Sequence, residues 1–257
     1  MSNQLNRFVL LMTLLACSFN ATAIVNMDGI HFDSQARAFA ADLDLSVSGS
    51  SGNSETSKAT FNSQLSWITE KSINLALLGY QYGESNSVRS VNKSFIHYRY
   101  IYHLNNDYDW ELFAQLEKNE FTRLSYRGLL GTGLRYSLAR SEQHHAFLGF
   151  GVFHSKEKTE QTAGLTDDGV EEFARANFYF LSKYTVKPSF SFSNAVYYQP
   201  RISRSSDYRA LLESKFDFKI NEKLSFRVKL DVEHDSEPSQ SIESTDVSYM
   251  TGLVFSF

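Results

Sequence analysis

Seven histidines are the side chains in this 257-residue chain best suited to acid–base or metal chemistry. His97 stands in "SFIHYRY", three residues after Ser94. A hydrolytic pair needs its imidazole and hydroxyl on one surface. In an extended segment, residues three apart point to opposite faces, so these two do not meet locally. His144 and His145 are adjacent and point apart, which makes a poor metal site. His154 leads into a loop. The acidic run "TDDGVEE", residues 166–172, offers Asp167, Asp168, Glu171 and Glu172 to a hard cation. Its spacing differs from the helix–loop–helix calcium motif, and a solvated loop tip accounts for it. No catalytic, cofactor-binding or metal-ligating residue is assigned, and the chain is expected not to be an enzyme.

The remaining chemistry is charge set at every second position. In "LSFRVKLDVEH", residues 224–234, Arg227, Lys229, Asp231 and Glu233 alternate with Phe226, Val228, Leu230 and Val232. Just upstream, Arg209, Glu213, Lys215 and Asp217 alternate with Tyr208, Ala210, Leu212, Phe216 and Phe218. Successive strand side chains point to opposite sides, so each segment has one apolar and one charged face. Lys93, His97 and Arg99, then Glu111 and Glu117, then Arg127, Arg135 and Arg175 extend the charged face upstream. These residues are the candidate lining of an interior. They either select solutes or cross-link the wall as neighbouring ion pairs. Both signs are present in comparable number, so strong anion or cation selectivity is not expected.

The period of two recurs along the chain and no helical period of useful length appears. About twelve strands are expected, near 38–49, 57–69, 72–83, 88–104, 108–118, 124–139, 143–156, 171–183, 186–199, 206–220, 223–235 and 244–257. Compact connections such as "LNNDYD", "RSEQ", "SKYT" and "NEK" alternate with longer or more polar ones: "GSSGNSE", "YGESNSV", "EKNEFT", the run from Lys156, "PRISRSSD" and "HDSEPSQSIES". "GTG" and "GFG" put Gly131, Gly133, Gly149 and Gly151 on the inner face of one hairpin. If Ala139 pairs with Gln143, Gly131 faces Gly151 and Gly133 faces Gly149. A bare inner patch of this kind lets an aromatic such as Phe113 or Phe147 approach the wall, or relieves curvature.

Composition narrows the class. Aromatics make up 14% of the chain, with only three prolines, which favours strands. Mean hydropathy is -0.32, too low for a bundle of membrane helices. The net charge of -4 gives no nucleic-acid surface. At the N-terminus, Arg7 precedes the apolar run "FVLLMTLLAC" and then Ala21 and Ala23, the -3 and -1 positions of an export-signal cleavage site. The competing reading is a lipobox, "LLAC", with Cys17 as the lipidated residue. Cleavage after Ala23 leaves a mature chain without cysteine.

A soluble sandwich also alternates. Four features favour a membrane barrel: export, segments of ten or more residues, an even strand number joined only by hairpins, and aromatics near strand ends on the apolar face. Those aromatics are Tyr98, Tyr100, Tyr102, Trp110, Tyr126, Tyr136, Tyr198 and Tyr208. The expected fold is all-β, a closed antiparallel transmembrane barrel of about 12 strands over residues 38–257. Residues 1–23 form the signal peptide, and residues 24–37 a periplasmic segment or plug.

The chain ends in "VSYMTGLVFSF", apolar at alternate positions to the last residue. Gly252, Phe255 and Phe257 resemble the Gly-x-x-aromatic-x-aromatic signal by which outer-membrane barrels are recognised for assembly. That pattern prefers a polar residue two before the Gly, where this chain has Met250. "LSVSGSSGNSET", residues 45–56, and "WELFAQLEKNEFTRLSYRGLLGTGLRY", residues 110–136, resemble the first hairpin and the middle of the domain-of-unknown-function 481 family, often labelled salt-induced or YdiY-like outer membrane proteins. The resemblance implies an outer-membrane barrel and brings no activity. The expected partners are outer-membrane lipids, the barrel assembly machinery and periplasmic chaperones, with small polar solutes if a passage exists. The expected role is a structural or stress-related envelope protein with a largely occluded lumen. The alternatives are a narrow, weakly selective channel and, last, a barrel-embedded hydrolase.

Overall fold

The structure is a computed structural model that describes residues 38–51, 55–167 and 169–257. The expected signal with Cys17, Ala21 and Ala23, the stretch 24–37, and Asp168 lie outside the described residues. Twelve strands follow one another: β1 (Ala38–Ser50), β2 (Thr56–Ile68), β3 (Ser72–Ser85), β4 (Val88–His103), β5 (Tyr108–Asn119), β6 (Leu124–Arg140), β7 (His144–Thr159), β8 (Gly169–Lys187), β9 (Phe190–Arg201), β10 (Arg204–Lys219), β11 (Leu224–Asp235) and β12 (Thr245–Ser256). One 3-10 turn, Glu120–Thr122, joins β5 to β6. Each strand pairs antiparallel with its sequence neighbours, and β1 pairs with β12 to close the barrel.

The alternation of residue types becomes an alternation of environments. From β3 to β11 the odd-numbered residues point inward. Glu111, Phe113, Gln115 and Glu117 on β5 are buried, while Trp110, Leu112 and Leu116 are exposed. In β1 and β12 the even positions point in, with Asp44, Asp246 and Val254 buried. The outside is apolar. Phe39, Trp67, Leu130, Phe150, Tyr249 and Phe257 are among its most exposed large side chains. The apolar stripes therefore do not meet across a dry interior, as they would in a sandwich. A strand of twelve residues at roughly 3.3 Å each, tilted about 40°, climbs about 30 Å. That exceeds the roughly 25 Å apolar band of outer-membrane barrels. Aromatic rings cluster near the end that carries Ala38 and Phe257. Tyr108–Tyr136 centroids lie 5.1 Å apart, Tyr100–Trp110 6.3 Å and Phe190–Phe218 4.9 Å.

Three expectations need correction. β8 runs on to Lys187, so "SKYT" belongs to the strand and Pro188–Ser189 make the turn. Proline has no N–H to give a ladder and its fixed φ suits the first turn corner. At the opposite end, "YGESNSV" and "PRISRSSD" are not long loops. β3 and β4 join through Asn86–Ser87, both at positive φ (50° and 63°), as in a type I′ hairpin. β9 and β10 join through Ile202–Ser203. Polar composition there marks strands that project past the apolar band. Finally, Gly133 faces Gly151, Gly149 faces Arg135 and Gly131 faces Phe153. The turn takes up Ser141–Gln143 and a bulge falls between Ser137 and Ala139, which shifts the expected register by two.

Candidate functional site: the barrel lumen

All sixteen candidate lining residues lie on inward positions, and most are tied into ion pairs. One chain of contacts crosses the bore. Arg127 on β6 donates to Glu117 on β5 (2.7 Å) and to Glu157 on β7 (2.9 Å). Glu157 also accepts two bonds from Arg209 on β10, at 2.8 and 3.0 Å. Arg209 donates in turn to Asp235 on β11 (2.8 Å). Alternating charge lets each guanidinium satisfy two carboxylates, so the low-dielectric interior holds ions that would be costly alone.

A second group sits nearer the Ala38–Phe257 end. Arg99 donates to Glu111 (3.0 Å), and Tyr179 on β8 donates its hydroxyl to the same carboxylate (2.6 Å). Arg135 meets Asp109 through Nε (3.0 Å) and Nη2 (2.8 Å). Arg99 stacks 4.7 Å over Phe113, and Arg135 stacks 4.4 Å over Phe147. Desolvated cation–π contacts of this kind contribute about 2 kcal/mol each. Toward the opposite end, Arg175 donates to Asp207 (2.6 Å) and to the Gln199 carbonyl (3.0 Å).

The glycine patch seats aromatics. A Cβ on Gly131 would overlap the Phe113 ring, and one on Gly149 would overlap the Tyr179 ring. Phe113 is one of the two aromatics expected there. Phe147 instead covers Arg135. Gly133 and Gly151 face each other backbone to backbone.

Charge is not the whole lumen. Ile73, Leu75, Leu77 and Ile101 on β3 and β4 belong to one buried apolar cluster with Leu181, Ala195, Tyr197 and Leu211 on β8, β9 and β10. These strands stand on opposite sides of the barrel, so the cluster fills the bore between them. Reading one polar inner face missed this layer. Its signal was the unbroken run from Leu75 to Leu78, apolar on both faces as a doubly buried strand is.

The other half of the lumen holds a cavity among the described residues. It has a volume of about 140 Å³ and is lined by β1–β4 and β10–β12. Lys58, Lys93, Lys215, Arg227 and Lys229 border it together with Asp42, Asp44, Glu213, Asp231 and Glu233. Glu213 pairs with Lys229 and with Lys215 (2.8 Å), and Arg227 pairs with Asp217 (2.6 Å).

Loops cross the mouth at the far end. Arg123, in the left-handed region (φ 58°), donates to Asp167 Oδ1 (2.6 Å), the Gln240 carbonyl (3.2 Å) and the Glu160 carbonyl (2.9 Å). The Gln240 backbone N–H donates to Asp167 Oδ2 (2.6 Å). Burial alone would raise the Asp167 carboxyl. The Gln240 N–H and the Arg123 guanidinium outweigh it and hold the group below its ordinary value of 3.8.

The histidines are dispersed. His97 Nδ1 lies 3.0 Å from the Gln115 side-chain oxygen, and Ser94 is on the outer face. His144 Nε2 lies 3.2 Å from Ser182 Oγ, with no acid behind it among the described residues. His103 lies 2.6 Å from Asp109, whose carboxylate already accepts from Arg135 and Arg140. Glu171 pairs with Arg201 (3.3 Å) and Glu172 with Lys156 (2.8 Å). Among the described residues, no three His, Cys, Asp or Glu converge as a metal-ligand set. At the seam, Phe255 stands opposite Leu43, and the Phe257 N–H donates to the Ala41 carbonyl (2.8 Å). Gly252 lies on the inner face against Asp44 and Ser46.

A closed twelve-stranded wall, apolar outside and charged within, defines an outer-membrane-type β-barrel. The chain belongs to the family described as "Protein of unknown function, DUF481", whose sequence profile matches residues 43–257. No curated protein matches it. Among solved structures, the translocator domain of the autotransporter NalP from Neisseria meningitidis is similar over 88% of this chain and 91% of its own, at 8% identity and a TM-score of 0.51. The NanC porin aligns over 84% and 98% at 9% identity (TM-score 0.49). The KdgM porin in complex with disordered oligogalacturonate aligns over 85% and 99% at 13% identity (TM-score 0.47). At such identities the likeness concerns the fold alone.

Proposed function

We propose that this protein resides in the outer membrane as a structural or stress-related envelope barrel whose lumen is closed along its axis. The observation that carries the reading is the apolar cluster joining Leu75 and Leu77 to Leu181 and Leu211 through the bore. A hydrophobic constriction excludes water and ions even before it closes sterically. The Glu117–Arg127–Glu157–Arg209–Asp235 chain and the loop clasp add two further barriers. Lipid faces the exposed apolar side chains. The assembly machinery reads the C-terminal Phe255 and Phe257, and periplasmic chaperones carry the unfolded strands.

A second reading, a narrow passage for small polar solutes, is favoured by the charged cavity alone. Its lining of both signs would select weakly. Planar-bilayer recording of the refolded protein separates the two. The closed reading expects a silent bilayer. Reproducible single-channel steps overturn it in favour of the passage.

A further inference from the structure

The outer wall changes character on one side. On β5–β8 the outward positions carry Leu112, Leu116, Leu130, Phe150, Val152 and Phe178, all exposed. Toward the ends of the same strands that lie away from Ala38 and Phe257, they become Lys118 on β5, Tyr126 on β6, and His154, Lys156 and Lys158 on β7. At roughly 3.3 Å per residue and a tilt of about 40°, Lys156 stands about 30 Å from the start of β7, just past the roughly 25 Å apolar band. Toward the same end, the outer wall of β1, β9 and β12 shows Val47, Tyr198 and Val247 instead. The three lysines gather on one side.

Register sets them side by side. Tyr126 stands opposite Lys158, and Gly128 opposite Lys156. Lys118 falls beside Tyr126, between the pairs Glu117–Arg127 and Asn119–Leu124. With strands about 4.8 Å apart, the three lysine Cα atoms lie within about 12 Å of one another. Lys118 and Lys158 form no ion pair among the described residues. Glu172 stands opposite Lys156, bonded to it at 2.8 Å and 3.7 Å from His154 Nε2. Glu120 accepts from Arg89 (2.8 Å) and Asn92 (2.7 Å). Glu160 follows past the end of β7. The patch is net cationic. Beneath it the wall is low-relief: the Leu116 side chain leans over Gly128, and Ala174 stands opposite His154.

Cations set directly above an apolar wall fit an amphipathic anion, whose head meets the charge while its tail meets the wall. Lysine takes phosphate as a point charge. Three ammonium groups spread over about 12 Å match more than one phosphate, whereas a phosphodiester headgroup brings a single negative charge. The Tyr126 ring, between Lys118 and Lys158, offers a flat face to a sugar. The longer loops at this end mark it as the outward side of the barrel. We propose that the outer wall of β5–β8 binds a saccharolipid of the outer leaflet that carries phosphates on its sugars. The phosphates lie at Lys118, Lys156 and Lys158, the sugar against Tyr126, and the acyl chains along Val152, Ala174 and Phe178. The site rests on the outer-membrane residence proposed above but not on a closed lumen, so a conducting barrel would leave it standing. Recovery of the protein in the outer-membrane fraction tests the residence separately.

The test is native mass spectrometry of the full chain refolded in detergent, after incubation with a bisphosphorylated disaccharide lipid, its dephosphorylated form, or phosphatidylglycerol. Retention of the bisphosphorylated lipid should exceed that of either other lipid at least tenfold. K118Q/K156Q/K158Q should reduce it at least tenfold, and Y126A severalfold, with the heat-modifiable gel migration of a folded barrel intact. Should the triple variant lose that migration, K118Q/K158Q, which leaves the Lys156–Glu172 pair in place, carries the comparison. K71Q/K219Q/K223Q removes as many charges at the opposite end and should leave retention unchanged. Equal retention of phosphatidylglycerol would make the patch a general anionic-lipid surface and overturn the saccharolipid. No retention of any lipid, retention unchanged by the β5–β7 substitutions, or an equal fall in the opposite-end variant overturns the site.

Discussion

Arg209 on β10 and Glu157 on β7 share two hydrogen bonds, at 2.8 and 3.0 Å, although β8 and β9 stand between them in the wall. The bonds are a strut across the bore and not a rung of the sheet. Removing one partner of a buried pair leaves the other charge uncompensated, at about 3 kcal/mol or more. Arg209→Ala should therefore lower the unfolding free energy of the detergent-refolded barrel by about that amount in a urea titration. A change within about 0.5 kcal/mol, typical of surface positions, would show that the strut bears no load.

Gly149 holds the Tyr179 ring where its hydroxyl reaches Glu111. Gly149→Ala forces the ring away and breaks that bond. Overpacking of this kind costs about 1–3 kcal/mol. Combining it with Tyr179→Ala should cost less than the sum of the two single changes, measured by the same titration. Strict additivity would mean that ring and glycine are independent.

These two positions show what could be read from residue order. The alternation of Arg227, Lys229, Asp231 and Glu233 with Phe226, Val228, Leu230 and Val232 is local, so the wall and its polarity were legible. The inner glycines were legible by parity as well. The Arg209–Glu157 strut and the seat of Gly149 on Tyr179 were not, because they join residues 52 and 30 apart in sequence, in the first case across a bore that exists only after closure. The apolar layer was hidden for another reason. Leu75 and Leu77 share a strand with outward Ala76 and Leu78, so no alternation marks which face turns in. Turn lengths failed where polar residues continue a strand beyond the apolar band, as at Glu84–Ser85 and Arg204–Ser206.

The clasp at the mouth is sensitive to acid. Asp167 has a lowered carboxyl pKa in the folded state, so its contribution is complete above the ordinary aspartate range. It disappears as pH falls through the lowered value. Hydrogen exchange of the 160–167 amides should rise over that acid interval. Asp167→Asn should show the fast exchange already at neutral pH. Equal protection in the variant at neutral pH would remove the clasp from the account.

Phe257 is the last residue, 68% exposed on the outer face, with its backbone bonded to Ala41. Phe257→Ala keeps the backbone bonds and removes the ring. The fraction of heat-modifiable, folded protein in the outer-membrane pool should fall severalfold, with little change in the stability of protein refolded in detergent. A parallel loss in both would make Phe257 a stability residue and not an assembly signal.

Both tryptophans lie on the outer face toward the same end of the barrel: Trp67, 65% exposed, and Trp110, whose Nε1 donates to Thr132 Oγ1 at 2.9 Å. Tryptophan at such positions sits at the headgroup boundary of a bilayer. The most direct measurement is quenching of intrinsic fluorescence by brominated lipids in reconstituted vesicles. An outward apolar wall predicts strong quenching, greater from bromines near the ester groups than from bromines deep in the chains. Emission untouched by bromine at any depth would mean that these faces never meet lipid, and would contradict the barrel as described.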